Sequence, residues 1–145
     1  MRLRALAAAV FLSLFAVAAF AAPPGKDAGM PFNLKATNQA FQKNPTGGIQ
    51  QMTAKDPNDK GLIAAIRARL LQEAERFGDG DYSSITKGGG KPMPGTEYLR
   101  GIKHGQLAIT YREVPAGAAV DYAGRDPATV DAIHKWIDAQ IGSHD

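Results

Sequence analysis

The sequence predicts one α+β domain: a mainly antiparallel sheet of about four strands, covered on one face by two helices. Three observations lead to this prediction. Short segments alternate apolar and polar residues, two longer segments place apolar residues at a spacing near 3.6, and a Gly…Asp-Pro pattern recurs at a constant offset of 70 residues. The recurrence indicates a ββα unit that is used twice.

The chain begins with the features of a secretory signal peptide. "MRLR" carries two positive charges, "ALAAAVFLSLFAVAAF" is an apolar run, and Ala19 and Ala21 form a small-x-small cleavage pattern. The run is shorter than the roughly 20 apolar residues of a membrane span. We therefore expect residues 1–21 to be a signal peptide and the mature protein to be periplasmic or secreted, with no membrane span after cleavage.

The remaining chain is expected to form a flexible leader, residues 22–37, and one domain, residues 38–145. There is no cysteine, so packing and hydrogen bonds must stabilise this exported domain. Without Arg2 and Arg4, 15 of the 17 Lys and Arg residues remain against 14 Asp and Glu, which leaves a net charge of about +1. Charges of both signs are scattered, which argues against nucleic acid as a partner.

The first unit is predicted to be a hairpin followed by a helix. The hairpin strands are Asn38–Lys43 and Gly48–Ala54, joined by the turn "NPTGG". Asp56 is predicted to cap the helix, Pro57 to occupy its first position and Gly78 to end it.

The second unit repeats this order after a long connection. Residues 78–104 contain seven glycines, with one helical turn predicted near Thr96–Arg100. "QLAITYRE" and "AAVDYAG" alternate as strands, and Asp126 and Pro127 begin a helix with the apolar stripe Val130, Ile133, Ile137 and Ile141. Long connections in compact domains tend to be functional or disordered, so the 78–104 loop and the adjoining sheet edge are the predicted binding surface.

Glu73 and His134 are the side chains with an ambiguous position on these helices. Glu73 falls within the apolar stripe of the first helix, where a buried carboxyl would need a partner and would have a raised pKa. The simpler interpretation is that it lies at the edge and reaches water. His134 lies roughly 60° from the centre of the second stripe, with Trp136 on the opposite flank. Such a histidine usually packs with its polar tip in water, and a ligand or catalytic role is the alternative.

A soft-metal site is the main alternative chemistry. Its candidate ligands are Met93, His104, His134 and His144, and copper is the most plausible metal. No His-x-x-x-His or Met-x-x-Met spacing supports the site, and there is neither a cysteine nucleophile nor a serine in a G-x-S-x-G context.

Several phrases of the chain resemble an uncharacterised group of small exported bacterial proteins. They include "MPFNLKATNQAF", "GGIQQMTAKD", "MPG" and "AIHKWIDAQIGSHD". The resemblance implies histidines in the group where this chain has Gln39, Arg69 and a residue near Lys87, and these, with Met93, could form a metal site in relatives. Some members are called aspartate carbamoyltransferases, but this chain is too short for two such domains and has no Ser-Thr-x-x-Thr phosphate loop.

Three functional hypotheses follow. The first is a non-enzymatic periplasmic protein that binds a small ligand or a protein partner, with Glu73, His134 and Met93 as candidate contacts and no cofactor. The second is a periplasmic copper-binding protein. The third is a small hydrolase or transferase that uses Glu73 as a general base, which requires a second polar group within hydrogen-bond reach.

Overall fold

The computed structural model describes residues 31–81 and 93–142, and it confirms the predicted α+β fold. The strands are β1 (Thr37–Asn44), β2 (Gly47–Ala54), β3 (Leu107–Val114) and β4 (Gly117–Gly124); the helices are α1 (Lys60–Gly78), α2 (Thr96–Gly101) and α3 (Pro127–Gly142). A 3-10 turn at Leu34–Ala36 precedes β1. The predicted signal peptide and His144 lie outside the described residues.

The four strands form one antiparallel sheet in the order β1-β2-β4-β3. The bounds of β1 and β3 differ by 70 residues, as do those of β2 and β4. Gln50 on β2 pairs with Val120 on β4, and these two residues occupy equivalent positions in the two repeats. The two hairpins are therefore related by a pseudo-two-fold axis that passes through the Gln50–Val120 pair.

The helices exchange places across this axis. Helix α1 follows the first hairpin but packs mainly against β3 and β4, whereas α3 follows the second hairpin and packs against β2, β4 and β1. Each helix therefore covers the edge strand of the other repeat. This exchange ties the two units together, because neither hairpin is covered by its own helix alone.

The core lies between the sheet and the two long helices. Apolar residues spaced three or four apart on α1 and α3 meet the inward-facing row of the central strands, as binary patterning requires. The largest fully buried apolar side chains are Met52, Ile66, Leu70, Val120, Ile133 and Ile137. Trp136 does not lie on a flank as predicted but in the core, 5.1 Å from the ring of Tyr122 and 6.0 Å from that of Phe41.

The start of α1 differs from the prediction. The helix begins at Lys60, and Asp59, not Asp56, accepts the capping hydrogen bond from Leu62 N at 2.9 Å. Asp56 instead accepts from Asn58 N, which closes a local turn in front of the helix. In α3 the predicted start is confirmed. Asp126 accepts from Thr129 N and Thr129 Oγ1, and these hydrogen bonds hold the pKa of the Asp126 carboxyl below its usual value.

The end of the predicted leader is packed against the domain. Phe32 is 6 % exposed and belongs to the core cluster. Lys55 N donates to the carbonyl of Ala36, and Thr37 already pairs with Ala54 in the sheet. The ordered domain therefore begins before residue 38, because an apolar anchor at position 32 fixes the chain that enters β1.

Candidate functional site

Glu73 is buried, contrary to the prediction that it reaches water. It is 5 % exposed, and its Oε2 lies 3.3 Å from Arg69 Nη2. The helical period brings it inward together with Ile66 and Phe77, and the i,i+4 arginine supplies the partner that a buried carboxylate needs.

The carboxyl of Glu73 belongs to a polar chain that crosses the core. Tyr122 Oη donates to Gln50 Oε1 at 2.8 Å, and the Gln50 side chain lies next to Glu73, where it favours the charged carboxylate. Gln50 sits on the pseudo-two-fold axis, so this chain runs from β4 through the centre of the sheet to α1. Because its members come from three elements, the chain fixes the position of α1 over the sheet.

Burial raises the pKa of the Glu73 carboxyl above its ordinary value, because the charged form loses its water. Arg69, the Gln50 side chain and Arg76 act in the opposite direction. The buried Arg69 Nε has no hydrogen-bond partner among residues 31–81 and 93–142. Burying the Glu73–Arg69 pair therefore costs free energy, and the contacts around the pair offset only part of that cost.

His134 has a structural contact. Its Nε2 lies 2.9 Å from the carbonyl oxygen of Asn44, the last residue of β1, and donates a hydrogen bond to it. The N-cap residues of the two helices, Asp59 and Asp126, are 67 residues apart, whereas the strands are offset by 70. At the offset of the helices, the counterpart of His134 is Arg67. Arg67 Nη2 donates to the carbonyl of Val114, the last residue of β3, at 3.3 Å. Both side chains thus tie a helix to the end of the edge strand that it covers.

Met93 and His104, the other candidates within the described chain, lie apart from this contact. Met93 Sδ accepts from Gln140 Nε2 at 3.1 Å, and the Met93 carbonyl accepts from Thr96 Oγ1 at the start of α2. His134 and Gln140 are six residues apart on α3, or about 9 Å along its axis. Within the residues described, no group of three or more His, Cys, Asp or Glu side chains is arranged to hold a metal ion.

A cavity of about 240 Å³ lies between the two ends of the predicted 78–104 loop and the start of β3. Its apolar lining comes from α1, α2, the segment after α2 and β3. These residues are Phe77, Leu99, Ile102 and Leu107. Its ionisable lining consists of Asp79, Arg100, Lys103 and His104. The exposed lining is therefore mixed, with more polar than apolar surface.

Arg100 and Lys103 were not among the candidate contacts predicted from the sequence. Their signal was present in "LRGIKHG", where three basic residues lie at the end of the 78–104 connection, just before the strand at Leu107. Only the fold shows that this segment faces the end of α1 across a cavity, since 20 residues of chain separate the two.

No family model, no curated protein and no solved structure matches the chain. Among the helices of the described residues, none is both long enough and apolar enough to cross a membrane. The resemblance to small exported bacterial proteins stays a prediction. Function must therefore be argued from the site itself.

Proposed function

We propose that this protein is an exported, non-enzymatic periplasmic protein that binds a small ligand in the cavity between α1, α2 and β3. The observation that carries the proposal is the cavity itself, which is built from both ends of the 78–104 connection and the first residue of an edge strand. Loops that are held by a rigid scaffold are the usual place for binding residues.

The composition of the lining supports a ligand over a purely structural void. An enclosed structural void is normally lined by apolar side chains alone, whereas this cavity is open to solvent and its four ionisable residues are exposed where a ligand can reach them. The neighbouring apolar side chains can cover a ligand's hydrocarbon part, and the ionisable ones can orient it.

The enzymatic alternative has weaker support. Glu73 does have a polar group within hydrogen-bond reach, namely Gln50, as a general base would require. Its side chain is nevertheless enclosed by α1 and the sheet, so a substrate has no access to the carboxyl in this conformation. A packing role that fixes α1 on the sheet accounts for the same contacts.

A cavity-filling variant tests the binding proposal. Gly78 lines the cavity, and an added Cβ there meets no atom within 4 Å, so Gly78→Phe adds a bulky ring at the cavity wall without a backbone clash. Gly61→Phe is the matched control, because Gly61 lies in the first turn of the same helix and its added Cβ meets only Asp59 Oδ1 at 3.6 Å.

A thermal-shift screen of small metabolites should yield compounds that stabilise the wild type and Gly61→Phe but not Gly78→Phe. Compounds that stabilise all three proteins equally would contradict the proposal.

The copper alternative is tested separately by metal analysis after copper loading, with Met93→Ala for comparison. Stoichiometric copper in the wild type that is missing from Met93→Ala would favour this alternative. Export predicts a mature protein that begins at Ala22, which mass spectrometry of the secreted or periplasmic fraction can measure.

A further inference from the structure

We infer that the ligand of this cavity is a zwitterion: a free α-amino acid with an apolar side chain. The inference rests on the proposed binding function and deepens it by naming the class of ligand. It follows from how positive charge, negative charge and apolar surface are distributed around the cavity.

One side of the cavity is cationic. Arg100 lies in α2 and Lys103 follows it by three residues, next to His104. The backbone N of Lys103 donates to Gln106 Oε1, but neither the Arg100 nor the Lys103 side chain forms an ion pair or a hydrogen bond with another residue in the described part of the chain. Five other cations form ion pairs there, namely Lys43, Arg67, Arg69, Arg112 and Lys135, and five away from this cavity form none, namely Lys35, Lys55, Lys60, Arg76 and Arg125. The two cations at the cavity are therefore available for an external carboxylate, which a guanidinium binds well.

The other side of the cavity is anionic. It is formed by the end of α1, residues 77–80, where the helix dipole places about half a negative charge. Asp79 adds a full carboxylate at the same point. An ammonium group is favoured beside such a helix end for the same reason that Lys and Arg are.

The two sides do not neutralise each other. None of the ion pairs within the described residues joins Asp79 to Arg100 or to Lys103. Opposite charges thus line one cavity without direct contact. A ligand that carries a carboxylate and an ammonium group a few ångströms apart satisfies both sides at once, which a simple anion or cation does not.

The size and the apolar lining restrict the ligand further. A volume of about 240 Å³ holds roughly eight water molecules at about 30 Å³ each, which suits a small organic molecule. Phe77 and Leu99 are already buried in the wall, so the apolar surface left to a ligand is that of the half-buried Ile102 and Leu107, which would stay exposed around glycine or an inorganic ion. An amino acid with a branched or aromatic side chain covers them and gains the free energy of their burial.

The test compares L-leucine with two analogues that each lack one charge, 4-methylpentanoate and 3-methylbutylamine, by calorimetric titration. Leucine should bind at least tenfold more tightly than either analogue. Arg100→Gln and Lys103→Gln should each weaken leucine binding by tenfold or more. Asp79→Asn should reduce the advantage of leucine over 4-methylpentanoate, because the ammonium group then has lost its partner. L-Valine and L-phenylalanine are titrated in parallel.

The control variant is Lys135→Gln, which removes an exposed cation from α3 that pairs with Asp131 and does not line this cavity. It should leave all affinities unchanged, and circular dichroism should show the same fold for every variant.

The inference is overturned if none of the three amino acids binds at millimolar concentration, or if leucine binds no more tightly than the two analogues. If a different compound binds and Gly78→Phe blocks it, the zwitterion inference fails while the proposed function stands; binding that ignores Gly78→Phe refutes both.

Discussion

Replacing Tyr122 by Phe removes the first hydrogen bond of the polar chain that crosses the core. The substitution keeps the ring, which packs against Trp136 and Phe77, and deletes only the hydroxyl that donates to Gln50 Oε1 at 2.8 Å. Gln50 is 6 % exposed, so its carbonyl oxygen would be left buried. A buried polar atom without a partner costs about 1–3 kcal/mol, and we expect a loss of unfolding free energy in that range.

Urea unfolding monitored by tryptophan fluorescence measures this loss. The midpoint should fall at an unchanged m-value, since the surface exposed on unfolding is the same. The melting temperature should fall by about 4 °C per kcal/mol. Tyr98→Phe is the matched control, because Tyr98 is 45 % exposed and should change stability by no more than about 0.5 kcal/mol. If Tyr122→Phe is as mild as Tyr98→Phe, the hydrogen bond between Tyr122 and Gln50 does not stabilise the core.

Three further predictions concern stability. Because burial raises the pKa of the Glu73 carboxyl, the folded state holds a proton that the unfolded state loses. The free energy of unfolding should therefore fall as the pH rises from 4.5 through the raised pKa. Urea titrations at several pH values should show that Glu73→Gln removes this fall. Gly95→Ala should lower the free energy of unfolding by more than about 2 kcal/mol in thermal unfolding, because Gly95 has a φ of 84° and an added Cβ would collide with the carbonyl oxygen of Ala132. Gly61→Ala should instead stabilise α1 by about 0.5–1 kcal/mol. His134→Ala should lose about 0.5–1.5 kcal/mol with the hydrogen bond to Asn44, and an unchanged stability would show that this contact does not hold α3 to β1.

The elements could be predicted from the sequence because their signals are local. Alternation, helical periodicity and turn residues located both hairpins and both long helices within a few residues. The start of α1 was wrong because "DPNDKG" offers two aspartates as caps, and the choice of Asp59 depends on a turn that Asp56 forms with Asn58. The constant offset of 70 correctly indicated repetition, but not the exchange of helices across the axis, since that depends on packing.

The candidate site could be predicted only in part because its residues meet through the fold. The helical period alone placed Glu73 in the stripe, but its burial depends on Gln50 from another element. His134 was correctly placed at the margin of α3, and its partner Asn44 lies 90 residues away. The cavity joins the end of α1 to the segment that follows α2, so the sequence could indicate the 78–104 connection as a surface without showing which charges line it.

The central claim, that the cavity between α1, α2 and β3 is the binding site, is tested most directly by an NMR titration of the ¹⁵N-labelled protein with a compound that stabilises it in the thermal-shift screen. The account predicts saturable shifts of the backbone amides of residues 77–80 and 99–107, and their loss in Gly78→Phe but not in Gly61→Phe. Shifts confined to another surface, or an identical response in both variants, would contradict it.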